Sequence, residues 1–562
     1  MTDMGLVSVL PLSAFLLVFV LAASFALALA GPVRSSVMVA HVVVLIVMLY
    51  GVTAFVEAEP RFATVWKHVG IVDHIATYGS VDPNVDAYFN WPGFFVLGAV
   101  ITQVAGFGSP LAIAAWGPLA FNLLLLPPLL VLFRAVTEDR RLIWLTLWFF
   151  YATNWVGQDY IAPQAVGFLL WVSIAAILLT WFARRPGITA GRPSLRAVIR
   201  RLDVRRLGSV PEGRPSSAAA ASQTQRAGLL LVVVAIFAAI VTGHQLTPVA
   251  VVVSVAGLVV FAGLGVRGLP WVMAIMLAAW IGYMTTTYLA GNIETLTGPL
   301  GSLGRNLDQN VSNRLTGSRE HEAIAHIRVY TTAGIWLLAL AGFALRRVAR
   351  RSDRALIVLG TAPFIMPVLQ PYGGEMLLRV FLFTLPAVAF FIASLVFPSP
   401  LTGGRGRTIA GVTVLGCLLL GVFQYTRYGN ERLDYFTKGD VAAVQALYRL
   451  APRGSALFAG GDNIPWRYRD YTSYDYHVVP ELEAWKRNAN DSEAVVREIR
   501  RTLGRRKGAY VIVTRSTEIG AALLQQTPGA LQKLVTTLRA SPAARELYRA
   551  PGGTVFYVSA RA

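Results

Sequence analysis

A single cysteine in 562 residues, Cys417 inside an apolar run, excludes an intramolecular disulfide, so any region outside a membrane must be held by packing. Acidic residues are scarce as well. Thirty Asp and Glu stand against fifty Lys and Arg, giving a formal charge of +20 and a pI near 10.3. No C-x-x-C pair, His/Cys cluster or Gly-x-x-x-x-Gly-Lys run occurs, which argues against a zinc centre and an ATP-driven pump. Charge of either sign makes up only 14% of the chain, hydrophobic residues 55%, and mean hydropathy is +0.55. Such a chain belongs in a bilayer.

Apolar runs able to cross a hydrocarbon core of about 30 Å fall roughly at 5–30, 37–56, 116–134, 142–157, 164–182, 228–243, 249–265, 269–287, 330–346, 355–369, 379–397 and 408–424. About twelve transmembrane helices are expected. The first run is too long for a signal-peptide core, and Met1–Pro11 carries no Lys or Arg, so it is read as a retained helix.

Alternate loops hold 22 basic residues against five acidic ones: Arg34; Arg134, Arg140 and Arg141; ten arginines between Arg184 and Arg226; Arg267; Arg346, Arg347, Arg350, Arg351 and Arg354; Arg405 and Arg407. By the positive-inside rule these loops are cytoplasmic, and both termini fall outside the cytoplasm. The basic pI is then topological, and no nucleic-acid partner is implied. The stretch 183–227, rich in Arg, Ser, Ala and Pro, reads as a basic cytoplasmic linker near anionic lipid.

Counting Trp91–Gly106 as a span would put that linker outside. It is therefore read as lying along the outer interface, opening with Trp91-Pro92 at headgroup level. Residues 57–115 then form a first external loop and 288–329 another. Six of the seven histidines, His68, His74, His244, His321, His326 and His477, fall on this outer side, and His41 lies in a span.

After about 425 charges become frequent and apolar runs shorten to strand length at 456–459, 509–514 and 554–558, with helical patterns at 439–450 and 492–503. This predicts a small extracytoplasmic α/β domain over 425–562, following a membrane domain over 1–424. The cluster from Trp466 to Tyr471, with Tyr474 to His477, offers rings that either stack on sugars or pack an interface.

The first external loop carries a family resemblance. A span ending in Glu57-Ala58-Glu59-Pro60-Arg61 leads to a helical stretch at 66–77, then Tyr78-Gly79, Asp86 and Trp91-Pro92-Gly93-Phe94-Phe95. This order resembles the GT-C class of membrane glycosyltransferases, and Asn90–Phe95 resembles their juxtamembrane Pro-Pro-Leu-Tyr segment. The stretches 157–164, 243–248 and 372–379 are similar to patterns in actinobacterial members. The resemblance implies an all-α polytopic membrane domain, a polyprenyl-phosphate sugar as donor, and an acidic residue of the first loop in catalysis. The chain departs from the pattern in carrying Glu-x-Glu-Pro where many members have Asp-Glu, and in an extra helix ahead of the loop-bearing span.

Displacing a polyprenyl phosphate from an anomeric carbon takes a base for the acceptor hydroxyl, and positive charge or a divalent cation for the departing phosphate. Glu59 is the first candidate base, with Glu57, Asp73 and Asp86 as rivals; a cap or an ion pair with Arg61 is the plainer role. Arg379 is the candidate phosphate ligand, with Glu375 four residues earlier as its partner, or else the two form a helix-locking ion pair. His244 and Gln245 suit a hydroxyl or the phosphate. Asp159, Arg61, His74 and Trp91 complete the candidate substrate contacts. Arg314, Arg319, Glu320, His321, Glu322 and His326 read as a lid, a cation site or a solvated face.

The expected activity is sugar transfer from a lipid-phosphate donor to a cell-envelope glycan or glycolipid at the outer face of the cell membrane. A polysaccharide polymerase or ligase, a non-catalytic scaffold and a transporter remain as alternatives. They are separated by whether Glu59, Asp86 and Arg379 converge on one cavity.

Overall fold

The computed structural model describes residues 1–183, 221–286, 288, 317–369, 375–397, 404–504, 506–524 and 527–560. Most of the arginine-rich linker, the loop around Arg314, and Tyr372-Gly373-Gly374 lie outside the described residues.

Helices α1 (Leu12–Ala30), α2 (Ser35–Tyr50), α3 (Ala63–Tyr78), α4 (Gly93–Val104), α5 (Gly117–Val136), α6 (Arg140–Thr153), α7 (Pro163–Trp181), α8 (Gln223–Gly243), α9 (Thr247–Phe261), α10 (Leu269–Met284), α11 (Arg319–Val348), α12 (Arg354–Thr361), α13 (Met376–Ala393) and α14 (Arg405–Tyr428) build the membrane part. Among the described residues seven helices are long and apolar enough to cross a bilayer, and five shorter apolar ones stand beside them. The chain is a multi-pass membrane protein. Its helix starts are chemically marked. Pro163 sits in the first turn of α7, where a missing N–H costs nothing, and Ser222 with Gln225 closes a capping box on α8.

Three boundaries differ from the sequence reading. The first helix begins at Leu12, because Gly5–Ser8 form a separate 3-10 turn packed on Tyr428-Gly429. The loop expected over 288–329 ends early, since α11 runs unbroken from Arg319 with Ser318 capping the His321 N–H. Likewise Gln223 to Ala227, placed in the linker, are the first turn of α8.

Helix α4 has twelve residues, about 18 Å at 1.5 Å per residue, too short for a core of about 30 Å. It leans on α3 and on Thr242 of α8, with Val96, Leu97, Val100, Ile101 and Val104 outward. At the centre of the bundle α6 is buried from Leu142 through Thr153, and α13 is buried along nearly its whole length.

Strands β1 (Ala456–Ala459), β2 (Asp475–Val478), β3 (Gly508–Thr514), β4 (Ala544–Ala550) and β5 (Gly553–Ser559) form one sheet in the order β2-β1-β3-β5-β4. The first three are parallel, β5 runs antiparallel to β3, and β4 antiparallel to β5. Helices α15 (Lys438–Leu450), α16 (Ser492–Thr502), α17 (Arg515–Leu523) and α18 (Ala530–Ala540) cover it. Strands β2 and β4 escape the sequence reading because both lie at edges and carry charge and half-exposed rings, which blurs the alternation.

The sheet domain docks on the first loop. A strap through Arg467 and Tyr471 lies against α3, and a Cβ at Gly70 would stand 1.8 Å from the Arg467 carbonyl oxygen. Trp66 packs edge-on to Tyr468, and the Phe62 N–H donates to the Asp434 carbonyl at 3.1 Å.

Candidate functional site

Where the strand-bearing tail leaves α14, four ionisable side chains from two distant parts of the chain meet. Arg61 donates to Glu431 through Nη2 and lies 3.3 Å from Asp434. Glu57, at the end of the short helix Val52–Val56, has two carboxylate oxygens shut off from solvent, and its carboxyl comes within hydrogen-bonding reach of Glu431. Three carboxyls thus surround one guanidinium.

Burial pushes the Glu57 carboxyl up to about 7, against the pull of Arg61. It raises Glu431 well above the ordinary range and Asp434 less far. With Arg61 shared between Glu57 and Glu431 and Arg328 acting on Asp434, burial favours a proton held on the Glu57–Glu431 pair near neutral pH.

A narrow cleft opens beside it, lined by Thr53, Glu57, Glu59, Arg61, Val65 and Tyr160. Glu59 is only partly buried, its carboxyl raised by that burial and steadied by Lys438. Burial therefore selects Glu57 over Glu59 as the carboxyl poised to take a proton near neutral pH.

Behind this cluster Arg427 of α14 lies 2.9 Å from Asp159, and Asn122 donates to the same carboxylate at 2.6 Å. The guanidinium also rests 4.7 Å from the Tyr50 ring. Asp159, expected on substrate, is engaged in a buried ion pair instead, since Arg427 inside the bundle requires a counter-charge. Arg328 of α11 extends the polar row: its Nε donates to the Thr426 carbonyl at 2.7 Å, its charge acts on Asp434, and it sits 5.7 Å from the Trp155 ring.

A second cluster lies on α13 and the α8–α9 turn. Arg379 is 3.4 Å from Glu375 and 3.4 Å from His244 Nε2. His244 Nδ1 accepts from the Thr247 N–H at 3.1 Å. Burial, with the Arg379 charge, keeps that imidazole neutral. Gln245 is half-buried beside it.

Other expected positions are used differently. Asp86 pairs with Lys67 at 2.7 Å, accepts from the Tyr88 N–H and accepts from the Tyr471 hydroxyl at 2.7 Å. Burial alone would raise its carboxyl, but Lys67 and these donors hold it below the usual range, which makes it a poor base. Asp73 faces Asp470 and Arg469 of the strap; burial and Asp470 raise its carboxyl. His74 packs on Tyr78 and Phe89, 3.4 Å from Thr472. Trp91 is buried edge-on to Tyr288.

Glu59, Asp86 and Arg379 thus sit in three separate groupings, each with partners of its own. The expected convergence is not met by these three, an arrangement that taken alone favours the scaffold, and a transferase reading has to rest on other residues. The rings from Trp466 to Tyr476, weighed as a sugar platform, pack inward: Trp466 lies edge-on to Tyr476, whose hydroxyl meets that of Tyr448 at 3.2 Å. On α11 the His326 ring bonds the Glu322 carbonyl of its own helix at 2.7 Å. Among the described residues no group of three His, Cys, Asp or Glu fits a metal ion.

Sequence reasoning missed Glu431, Asp434, Arg427, Arg328 and Asn122. The one local signal was Glu431-Arg432-Leu433-Asp434, a charged turn directly after an apolar span.

Membrane helices with a buried charge cluster at the end an α/β domain closes, and a separate buried Arg346–Asp353 ion pair where α11 ends, define the architecture. No protein-family model matches the sequence, and neither does any curated protein. Among solved structures the chain is similar to ArnT from Cupriavidus metallidurans bound to undecaprenyl phosphate, at 12% identity and a TM-score of 0.48 over 93% of this chain and 98% of that one. It is also similar to the Archaeoglobus fulgidus oligosaccharyltransferase in complex with Zn and sulfate, at 13% identity and 0.48 over 93% and 73%.

Proposed function

We propose that this protein is a membrane glycosyltransferase that moves a sugar from a polyprenyl-phosphate donor to a hydroxyl of an envelope glycan or glycolipid. The observation that carries the reading is the buried Glu57–Glu431–Asp434 group around Arg61, set on a cleft at the edge of the helical bundle. Lys/Arg bias in the alternate loops supports this face lying outside the cytoplasm.

In this reading Glu57 takes the acceptor proton as the hydroxyl oxygen attacks the anomeric carbon. The bond from that carbon to the phosphate oxygen breaks, and its electron pair leaves with the polyprenyl phosphate. Direct displacement inverts the anomeric centre. Arg328, engaged with the Thr426 carbonyl, and Arg379, paired with Glu375, would supply positive charge for the departing phosphate.

Transfer of labelled sugar from a panel of polyprenyl-phosphate donors, in membranes holding equal amounts of each variant, tests the proposal. Glu57→Gln should lower transfer by ~10²–10⁴-fold, and Glu59→Gln by much less. Only the ionised carboxylate can accept a proton, so wild-type transfer should rise as pH passes through about 7. A wild type that consumes no donor at any pH would sink the reading.

A further inference from the structure

Two carboxyl groups that face each other with no donor between them repel unless one holds a proton. Glu57 and Glu431 are in that position. Glu431 is fully buried; one of its oxygens accepts from Arg61, while its other oxygen and both of Glu57 lack an oriented donor among the described residues.

We infer that Glu431 is held as a neutral carboxylic acid whose O–H donates to the Glu57 carboxylate, so that a residue from beyond the last helix positions the base of the first loop. The inference rests on the transferase reading for its catalytic meaning.

Each neighbouring element bears on the pair. Arg61 comes from the first loop, Asp434 from the same turn as Glu431, and Arg427 and Tyr428 from α14; Arg328 reaches in from α11. Asp159 already occupies Arg427, and Asp434 takes part of Arg61. Among the described residues Arg61 is the cation whose charge falls on both Glu57 and Glu431, while Arg328 acts on Asp434. Glu431 is the better holder of the proton because it is the more deeply enclosed, and the charged form of a group suffers most where burial is greatest.

The arrangement gives Glu431 a division of labour. Its oxygen on Arg61 fixes the carboxyl plane, and its proton fixes one Glu57 oxygen, leaving the other free to meet an acceptor hydroxyl from the cleft. When Glu57 takes the acceptor proton, the pair holds two protons, and one must leave before the next turnover.

Infrared difference spectra of the purified full-length chain test this without turnover. At pH 8.5, above the titration of Glu57 near 7, the wild type should show a protonated-carboxyl band, lost in Glu431→Gln, where Glu57 is ionised, and in Glu57→Gln, where Glu431 ionises against Arg61. Asp434→Asn should keep it. The amide of Glu431→Gln can still donate to Glu57 and accept from Arg61, so transfer should stay within about tenfold of wild type, whereas Glu431→Leu should lose far more at equal expression. A band that survives Glu431→Gln at pH 8.5, or its absence from the wild type at that pH, overturns the inference while leaving the transferase reading intact. The band with no transfer from any donor would instead sink that reading and leave the proton assignment standing.

Discussion

Arg427 and Asp159 show what buried charge means residue by residue in this protein. Their side chains are 1% and 9% exposed, so each depends on the other. Arg427→Leu alone should destabilise the fold by about 3–5 kcal/mol, because it strands an ionised carboxylate. Adding Asp159→Asn should recover much of that loss; denaturant unfolding in detergent reads both. If the double variant is no more stable than the single one, the pair is not the source of the cost. Glu57 behaves in the opposite sense. Its folded-state carboxyl titrates near 7 against an ordinary 4.5, so it costs nothing below 4.5, and the penalty for ionising it grows until pH passes 7. Sequence nominated Glu57, Glu59, Asp73 and Asp86 and placed Glu59 first, an order the surroundings change. The ranking came from what surrounds each: Lys67 and Tyr471 neutralise Asp86, whereas Glu57 faces other carboxyls.

Among the elements, α3 and the strap of the sheet domain form the tightest joint. Gly70 has no room for a Cβ, since the Arg467 carbonyl would lie 1.8 Å away and backbone cannot rotate aside as a side chain can. Gly70→Ala should therefore push α3 and the strap apart at a cost of about 1–3 kcal/mol, and should speed proteolysis near Arg467 while leaving the bundle helices intact. Equal cleavage rates in wild type and variant would show that the joint is not tight. Periodicity placed α3, α15 and α16 well because each turns one apolar face inward over several turns. It placed the start of α11 badly. Arg319 to His326 are polar enough to read as loop, yet the Ser318 cap and continuity with the apolar turns that follow make them helix.

For the whole molecule, contacts gather Gly5, Arg61 and Asp159 around the end of α14 and the turn after it, while Ser35 meets Arg140 and Ala183 pairs with Leu264 at other helix ends. In a Cys417→Ser background, single cysteines at Ser8 and Gly454 should react with an impermeant thiol reagent on intact cells, and one at Ser35 only after the membrane is opened. The reverse labelling would invert the topology and place the carboxylate cluster in the cytoplasm. The cluster also explains why the tail matters to the proposed chemistry: Glu431 and Asp434 lie at its root, and the Phe62 N–H is tied to that same turn.

Hydropathy, Lys/Arg bias and short strand-like runs act locally and add along the chain, so the sequence by itself determined a multi-pass membrane domain followed by a small α/β domain. Contacts between distant positions obey no such local rule. Arg61 meets Glu431 across 370 positions and Arg427 meets Asp159 across 268. Only the tertiary structure could bring them together, because burial and the balance of buried charge, which decide where a proton rests, are properties of the packed chain.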